Sequence, residues 1–312
     1  VILLCGIPSE SSQARLAAAL DELGAAYRFV NQRQVRSSTI RLEHDGARVG
    51  GVLEHDGWRV ALDEVTGIYL RFMDDRWLPE LAGEPDDSPA RRASRAFHDI
   101  VGQWAEIADA CVMNRYGAMS SNFSKPYQAQ LIAEHGFAVP ETLVTNDPEL
   151  VRAFVSEHGR VIYKSISSER SIVEIVGERD LARLDAIRWC PVQFQAFVPG
   201  FDVRVHTVGD EVFATRIASA ATDYRYAHRQ TGEVATMTPY ELGDELEARC
   251  VRLGAGLGLE LAGIDLRLTP DGEAVCFEVN PSPVYSYYEA HTGQPMAAAI
   301  ARYLAGSSSG ST

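Results

Sequence analysis

Long apolar runs are missing from this sequence. The longest clean ones, such as residues 1–5, fall far short of the ~20 residues a helix needs to cross a bilayer, so no membrane-spanning helix is expected. A basic stretch leading into an apolar segment is also missing, so no secretion signal is expected. Cysteine is sparse: Cys5, Cys111, Cys190, Cys250 and Cys276 form an odd set with no two at metal-knuckle spacing. That pattern reads as small buried hydrophobes in a reducing cytoplasm, and a cytoplasmic location follows. The eight histidines show neither HxH nor HExxH spacing, which argues against zinc. Positive charge is in deficit, with 29 basic against 43 acidic residues and a net charge of −14. Such a surface repels nucleic acid and anionic membranes. It also repels polyphosphates, so a nucleotide ligand would require local concentration of Lys and Arg.

What is there is the composition of a globular protein. Hydrophobic residues make up 46% and charged residues 23% of 312, enough for about two domains, or three small ones, at roughly 150 residues each. The opening reads strand, helix, strand: an apolar run at 1–5, a helix capped by Ser9 with Leu16, Ala19, Leu20 and Leu23 on one face, Gly24 at its end, and a strand at 27–30. This suggests a parallel α/β sheet. Leu-Glu-His-Asp-Gly then occurs twice, at 42–46 and 53–57. Asp-Gly favours tight hairpin turns, so a β-meander is expected, with the repeated histidines as plain strand-end residues. A strand over 66–72 ends on Arg71. An acidic, proline-containing loop over 74–91 precedes a long helix over about 88–110, with Phe97, Ile100, Trp104 and Ile107 on its apolar face.

Beyond residue 114, Ser124 is expected to cap a helix that opens on Lys125-Pro126 and ends at Gly136. A helix follows from Asp147-Pro148-Glu149 to His158, then strands over 161–166 and 172–176 and a helix over 180–188. The last section reads as strands over 192–198, 203–208 and 212–217, a helix over 239–257, a hairpin of 262–268 with 274–279, and closing helices. Residues 306–312 are all Gly, Ser and Thr, the composition of a flexible tail.

The final hairpin carries the strongest chemical signal. Pairing Arg267 with Cys276 puts Asp265 opposite Glu278, and Asn280 shares the face of Glu278. Two opposed carboxylates among apolar neighbours need neutralising. A hard divalent cation does this with oxygen ligands, so Asp265, Glu278 and Asn280 are candidate Mg²⁺ ligands. A solvated hairpin with ordinary surface acids is the plainer reading. Lys125 opens a helix, where backbone N–H groups and the dipole favour phosphate. Lys164 sits in the apolar strand Val-Ile-Tyr-Lys and needs an anion or a route to solvent. In so acidic a chain both suit phosphate. The strand through Gln195, Phe197 and Val198 can offer backbone groups to an adenine edge. Asp202, Arg204 and His206 share one face of the next strand, lining a cleft or facing solvent. Arg170, Arg204, Arg216 and Arg225 can each hold a carboxylate or phosphate bidentately. Arg71, at a strand end of an α/β sheet, can face a ligand cleft.

In order, Lys125, Lys164, Gln195-Ala-Phe-Val-Pro-Gly-Phe-Asp-Val-Arg204, Arg216, Gly-Ile-Asp265 and Phe-Glu278-Val-Asn280-Pro resemble the two-lysine, hinge, arginine and D…E-x-N pattern of the ATP-grasp superfamily. The resemblance spans about 114–305. It is nearest the branch of ribosomal-protein glutamate ligases and microviridin-type (graspetide) peptide maturases, through Asp223-Tyr-Arg225 and Asn280-Pro-Ser282-Pro. It implies an α/β (α+β) ATP-grasp fold: a pre-ATP-grasp domain over 1–113, a central subdomain over 114–198 and a C-terminal subdomain with the metal site over 199–305. It implies ATP and Mg²⁺ as cofactors. Lys125, Lys164, Gln195 and the backbone of Phe197 and Val198 would hold the nucleotide, with Asp202 near the ribose. Arg204 and Arg216 would be the catalytic residues, stabilising the transferred phosphoryl group. Arg71, Arg170, Arg225 and Ser282 are the candidate substrate contacts. The implied reaction joins a carboxylate to an amine, or a hydroxyl, through an acyl phosphate, with ADP released. A ribosomally made peptide is the substrate that branch suggests. A small amino-acid ligase, or a nucleotide-binding protein with little catalysis, are the alternatives. A homo-oligomer is compatible with the sequence. The loop after Lys164 lacks the glycines of a phosphate-covering lid, and Arg225 is followed by Tyr-Ala-His-Arg rather than the glutamate-ligase sequence.

Overall fold

The computed structural model describes residues 1–46, 49–165, 173–219 and 235–306. Strand β1 (Ile2–Gly6) pairs in parallel with β2 (Tyr27–Asn31) and β6 (Gly67–Leu70), and β6 pairs with β7 (Cys111–Met113), giving the order β2-β1-β6-β7. Alternation along β1 sends Leu3 and Cys5 toward Val101 and Trp104 of α2 (Pro89–Ile107). It sends Ile2 and Leu4 toward Leu16 and Leu20 of α1 (Ser11–Leu23). A strand covered on both faces reads as a continuous apolar run, which is why 1–5 looks as it does. The cap of α1 is Glu10 rather than Ser9: its carboxylate accepts from the N–H groups of Ser12 and Gln13, both at 3.0 Å. On α2 the core face is Phe97, Val101 and Trp104, whereas Ile107 is exposed.

The meander is β3 (Ser38–His44), β4 (Val49–His55) and β5 (Trp58–Ala61). Asp56 and Gly57 form its second turn with φ of 43° and 81°, the left-handed pair a two-residue hairpin requires. The first turn is longer, with His44 opposite Val49, and lies partly outside the described residues. His55 is more than a strand-end residue. It is buried, Ser38 Oγ lies 2.6 Å from its Nδ1, and its Nε2 accepts the Asn31 N–H at 3.0 Å. It thereby ties the meander to β2.

Helices α3 (Tyr116–Met119) and α4 (Lys125–Glu134) lead to a central antiparallel sheet. Its strands are β8 (Thr142–Thr145), β9 (Val161–Ser165), β10 (Glu174–Ile175) and β11 (Val192–Ala196), in the order β10-β9-β11-β8. Phe194 and Val161 pack with Val151 of α5 (Pro148–His158) and with Leu184, just beyond α6 (Glu178–Ala182). The C-terminal sheet has β12 (Phe201–Val208), β13 (Glu211–Ala218), β14 (Thr236–Pro239), β15 (Leu261–Leu268) and β16 (Ala274–Asn280), in the order β14-β13-β12-β15-β16. Pro239 ends a strand instead of opening a helix, and α7 (Asp244–Gly256) starts after Gly243. One face of this sheet packs on α7 through Val203, Val205, Ile264 and Leu266 with Cys250 and Leu253. Residues from its other face, Phe213, Ile217 and Met237, pack with α8 (Tyr285–Thr292) and α9 (Met296–Leu304), which also contact α1. No helix among the described residues is long and apolar enough to cross a membrane.

Candidate active site

Asp265 and Glu278 do face each other across β15 and β16, but by a different register from the one expected. Leu266, not Arg267, pairs with Cys276, and a bulge at Phe277 restores the Asp265–Glu278 pair. Without the extra residue Glu278 would turn to the opposite face, where Cys276 and Leu266 are buried in the core. The bulge therefore puts both carboxylates on one side.

That side holds two cations. Arg204, opposite Asp265 on β12, donates from Nη1 to Asp265 Oδ1 at 2.8 Å. Lys125, at the first position of α4, donates to Glu278 Oε2 at 3.3 Å. The carboxylates are about one-third open to solvent, at 32% and 28%, whereas the Arg204 side chain is only 5% exposed. The expectation that a metal must neutralise this pair is thus corrected: the protein supplies one cation for each acid. The case for a metal rests instead on the donor set. Asn280 sits one residue past the Glu278–Val279 step and its Oδ1 accepts the Ser282 N–H at 2.9 Å, which fixes the amide. Among the described residues no three His, Cys, Asp or Glu side chains converge as an all-protein metal cage. Two carboxylates and an amide oxygen at a cleft fit Mg²⁺, which keeps few protein ligands and takes the rest from water and phosphate.

The face of β11 toward this cleft carries Gln193 and Gln195, because residues two apart share a side. Lys164 of β9 lies opposite Gln193, and Thr142 of β8 opposite Gln195. Lys164 is 9% exposed, in line with a lysine in an apolar strand that has found polar company. A cavity of about 520 Å³ is lined by Lys125, Lys164, Gln193, Gln195, Thr142 and Phe277. Both lysines thus border one space, although they lie 39 positions apart in sequence.

The hinge is tied to the strands on either side of it. The Phe197 N–H donates to the Arg160 carbonyl at 2.9 Å, and the Val198 carbonyl accepts from Arg267 Nη1 at 3.0 Å. Those two groups serve the protein. Asp202 is paired with Arg267 at 2.6 Å and lines a smaller cavity of about 320 Å³ with Arg160, Arg216 and Phe201. Arg216 pairs with Val203, out of phase with Arg204, and its guanidinium lies 4.4 Å over the Phe201 ring. It does not join the carboxylate cluster. His206 follows Arg204 on the same face but is fully buried and packs on the Tyr288 ring at 4.8 Å. Burial, and then the Arg204 charge, push its pKa well below the usual value, so it is a neutral core residue.

Arg71 and Ser282 come together directly. Arg71 Nη1 donates to Ser282 Oγ at 3.0 Å and to the carbonyls of Ser282 and Pro283, while Nε and Nη2 bind Glu10. All three nitrogens are engaged, so Arg71 ties the first sheet to the end of β16. Asn114 makes a second tie, donating to the Leu261 and Pro281 carbonyls and accepting from the Glu260 and Leu261 N–H groups. Arg170, Arg225 and the Asp223-Tyr-Arg segment lie outside the described residues.

Known proteins give this geometry a family. The RimK-like ATP-grasp domain matches residues 124–304. The chain belongs to the RimK-like ATP-grasp family. This ATP-grasp ligase is 25% identical over 215 residues to a probable alpha-L-glutamate ligase of Shewanella loihica, covering 66% of this chain and 70% of that one. Its fold matches the macrocyclase MdnC of Microcystis aeruginosa, solved with precursor peptide MdnA, with a TM-score of 0.80 at 23% identity over 98% of this chain and 99% of the other. It also matches the ATP-grasp ligase PsnB, solved with a phosphomimetic variant of its minimal precursor, Mg and ADP, with a TM-score of 0.77 at 27% identity over 97% of each chain.

Proposed function

We propose that this ATP-grasp ligase activates a carboxylate of a peptide or protein with Mg·ATP and joins it to an amine or hydroxyl. The carboxylate oxygen attacks the γ-phosphorus, the bond to the β-phosphate oxygen breaks, and ADP leaves. The amine or hydroxyl then adds to the acyl carbon, phosphate departs, and one proton is lost to solvent. The observation that carries this reading is the facing Asp265–Glu278 pair, each acid with its own cation, one of which, Lys125, also borders the cavity that Lys164 lines. The peptide is supported by the precursor peptides bound to MdnC and PsnB.

Each side chain has a task that follows from its place. Asp265, Glu278 and Asn280 are the residues that would hold Mg²⁺, whose bound charge offsets that of the phosphates. Lys164, buried in β9, presents one fixed positive charge to the cavity, and Lys125 a second at a helix N-terminus. Arg204 is held by Asp265 and packed near Tyr288, 5.6 Å from its ring, so its guanidinium is pre-positioned for a developing phosphoryl charge. Positioning and charge compensation supply most of the catalysis of phosphoryl transfer.

The test is product analysis with Mg·ATP against a matrix of acidic peptides and free amino acids. Peptide-dependent ADP and phosphate are expected. Response to free amino acids alone would replace the peptide by a small substrate. AMP and pyrophosphate would overturn the acyl-phosphate route. Nucleotide binding without turnover on any substrate would leave a nucleotide-binding protein.

A further inference from the structure

Strand β16, which carries Glu278 and Asn280, is the edge of its sheet. Along such an edge every second residue points its N–H and carbonyl outward, with no ladder partner. Val279, between the two proposed metal ligands, is one of these residues, and it is 0% exposed, so water does not serve it. Gln128 of α4 takes both groups. Its Oε1 accepts the Val279 N–H at 3.0 Å and its Nε2 donates to the Val279 carbonyl at 2.9 Å. One side-chain amide thus stands in for a neighbouring strand. Its orientation is fixed, because turning it over would set donor against donor and oxygen against oxygen. Gln128 is itself 2% exposed, and it lies three positions after Lys125, on the same side of α4.

The tie falls where β16 is weakest. The bulge at Phe277 interrupts the ladder with β15 immediately before Glu278. Only Glu278, Val279 and Asn280 pair with β15 beyond it. On the near side of the bulge the outer edge is held by the Cys276 N–H, which donates to the Ala138 carbonyl at 2.9 Å. On the far side it is held by Gln128. Glu278 and Asn280 leave the same face of the strand, so a rotation of the backbone at Val279 would swing both. The Lys125–Glu278 contact does not prevent this, since an ammonium on a flexible four-carbon stem follows its carboxylate.

We propose that Gln128 is the positioning residue of the metal site: its grip on the Val279 backbone fixes the direction in which Glu278 and Asn280 reach the cleft. This rests on the reading of those two residues as metal ligands and adds the group that orients them. Gln128 acts through the backbone of β16 and does not line the nucleotide cavity.

The experiment is titration calorimetry of ATP with and without Mg²⁺ on the full chain, below the melting transition, together with amide hydrogen exchange at Val279 and Cys276. Gln128→Met keeps the length of the side chain and removes both bonds. Its metal-free ATP affinity is expected to stay within about twofold, while the gain conferred by Mg²⁺ falls about tenfold or more, as when an orienting partner of a metal ligand is lost. The Val279 amide should exchange faster and the Cys276 amide should not. Gln128→Glu keeps an acceptor for the Val279 N–H. It is expected to retain more of the Mg²⁺ gain than the methionine variant, and it guards against a folding defect in that variant. An unchanged Mg²⁺ gain in Gln128→Met, with a Val279 amide that exchanges freely, overturns the proposal. So does an equal loss of affinity with and without Mg²⁺, which would mean that Gln128 only seats α4 and Lys125. Absence of any Mg²⁺ effect in the unmodified protein would instead overturn the reading of Glu278 and Asn280 as ligands.

Discussion

Glu278→Gln separates metal binding from folding. The substitution keeps the shape of the side chain and removes its charge. The Lys125–Glu278 contact is 3.3 Å long, but Glu278 is 28% and Lys125 19% exposed, so solvent screens the pair and its loss costs at most about 1 kcal/mol of stability. The fold should therefore survive, with a melting shift of roughly 3 °C or less. Binding should change in two opposite directions. Without Mg²⁺, Lys125 no longer answers to a carboxylate and meets phosphate more freely, which is worth about 1 kcal/mol, or roughly fivefold, toward tighter ATP binding. With Mg²⁺, the gain in affinity expected of the unmodified protein should shrink, since one of the two proposed charged metal ligands would be gone. Turnover should fall by about 10²-fold or more, the usual cost of losing a preorganised electrostatic group. Calorimetric titration of ATP with and without Mg²⁺ measures both directions without knowledge of the peptide substrate. An unchanged Mg²⁺ effect would refute Glu278 as a ligand. Unchanged metal-free affinity would refute the competition with Lys125.

Other perturbations test other parts of the argument. Lys164→Ala is expected to raise the ATP Kd by about tenfold or more, as for a lost charge-assisted bond; an unchanged Kd removes the strand lysine from the site. The chain has no lysine besides Lys125 and Lys164, so amine acylation read by mass spectrometry should modify these two and the N-terminus, with Mg·ATP protecting the lysines alone. Asn114→Ala leaves four backbone groups at Glu260, Leu261 and Pro281 without partners and is expected to cost about 3–5 kcal/mol in urea unfolding; a loss under 1 kcal/mol would contradict the tie. His98, stacked on Phe72 at 4.4 Å, has its pKa pushed by burial from 6.5 down to about 4. Its neutral form is the one the fold accepts, so its contribution is complete above pH 6.5 and is lost as pH falls from 6.5 toward 4, by roughly 2–3 kcal/mol. His98→Phe should flatten that part of the urea stability profile; an identical profile would refute the assignment.

The elements that were legible in the sequence are those whose signal is local. The parallel opening shows in one unbroken apolar run, the meander in two Asp-Gly turns, and the last hairpin in its alternation. The Asp265–Glu278 pairing was reached through a register that the structure does not have, and a bulge at Phe277 makes the outcome the same. A bulge has no strong local signature, because one extra residue in a strand alters no turn and breaks no apolar pattern. Arg71 and Ser282 were placed in one cleft, but their contact spans 211 residues and gives Arg71 a tie rather than a free guanidinium. Arg216 stands apart from the carboxylates for a simpler reason: its phase on β13 is set by pairing with Val203, which depends on where the hairpin turns. Gln195 was named from the family resemblance, and Gln193, which was not, had the same signal. Gln193 and Gln195 flank Phe194 in a strand that buries both faces, and polar residues at period two in such a strand mark a polar lining.

The arrangement of charge explains how so acidic a chain can take up a polyphosphate. Asp265, Glu278, Arg204 and Lys125 form a quartet of two acids and two cations with no net charge. A divalent cation with phosphate is made of the same two signs. In the proposed reading the acids would exchange a side-chain cation for the metal, and the cations a carboxylate for phosphate. Each group would then keep a partner of opposite sign throughout, so neither would be desolvated alone, which is where buried charge becomes costly. The net charge of −14 is thereby kept out of the site's energetics by local pairing. This account requires both halves of the quartet: removing Arg204 leaves Asp265 without its cation, and removing Glu278 releases Lys125. Arg204→Met should therefore weaken ATP binding and also raise the Mg²⁺ concentration-independent repulsion felt by phosphate near Asp265, seen as a larger loss at low salt than at high salt. A loss of the same size at both ionic strengths would mean that Arg204 acts through packing on Tyr288, and the exchange of partners would have to be abandoned.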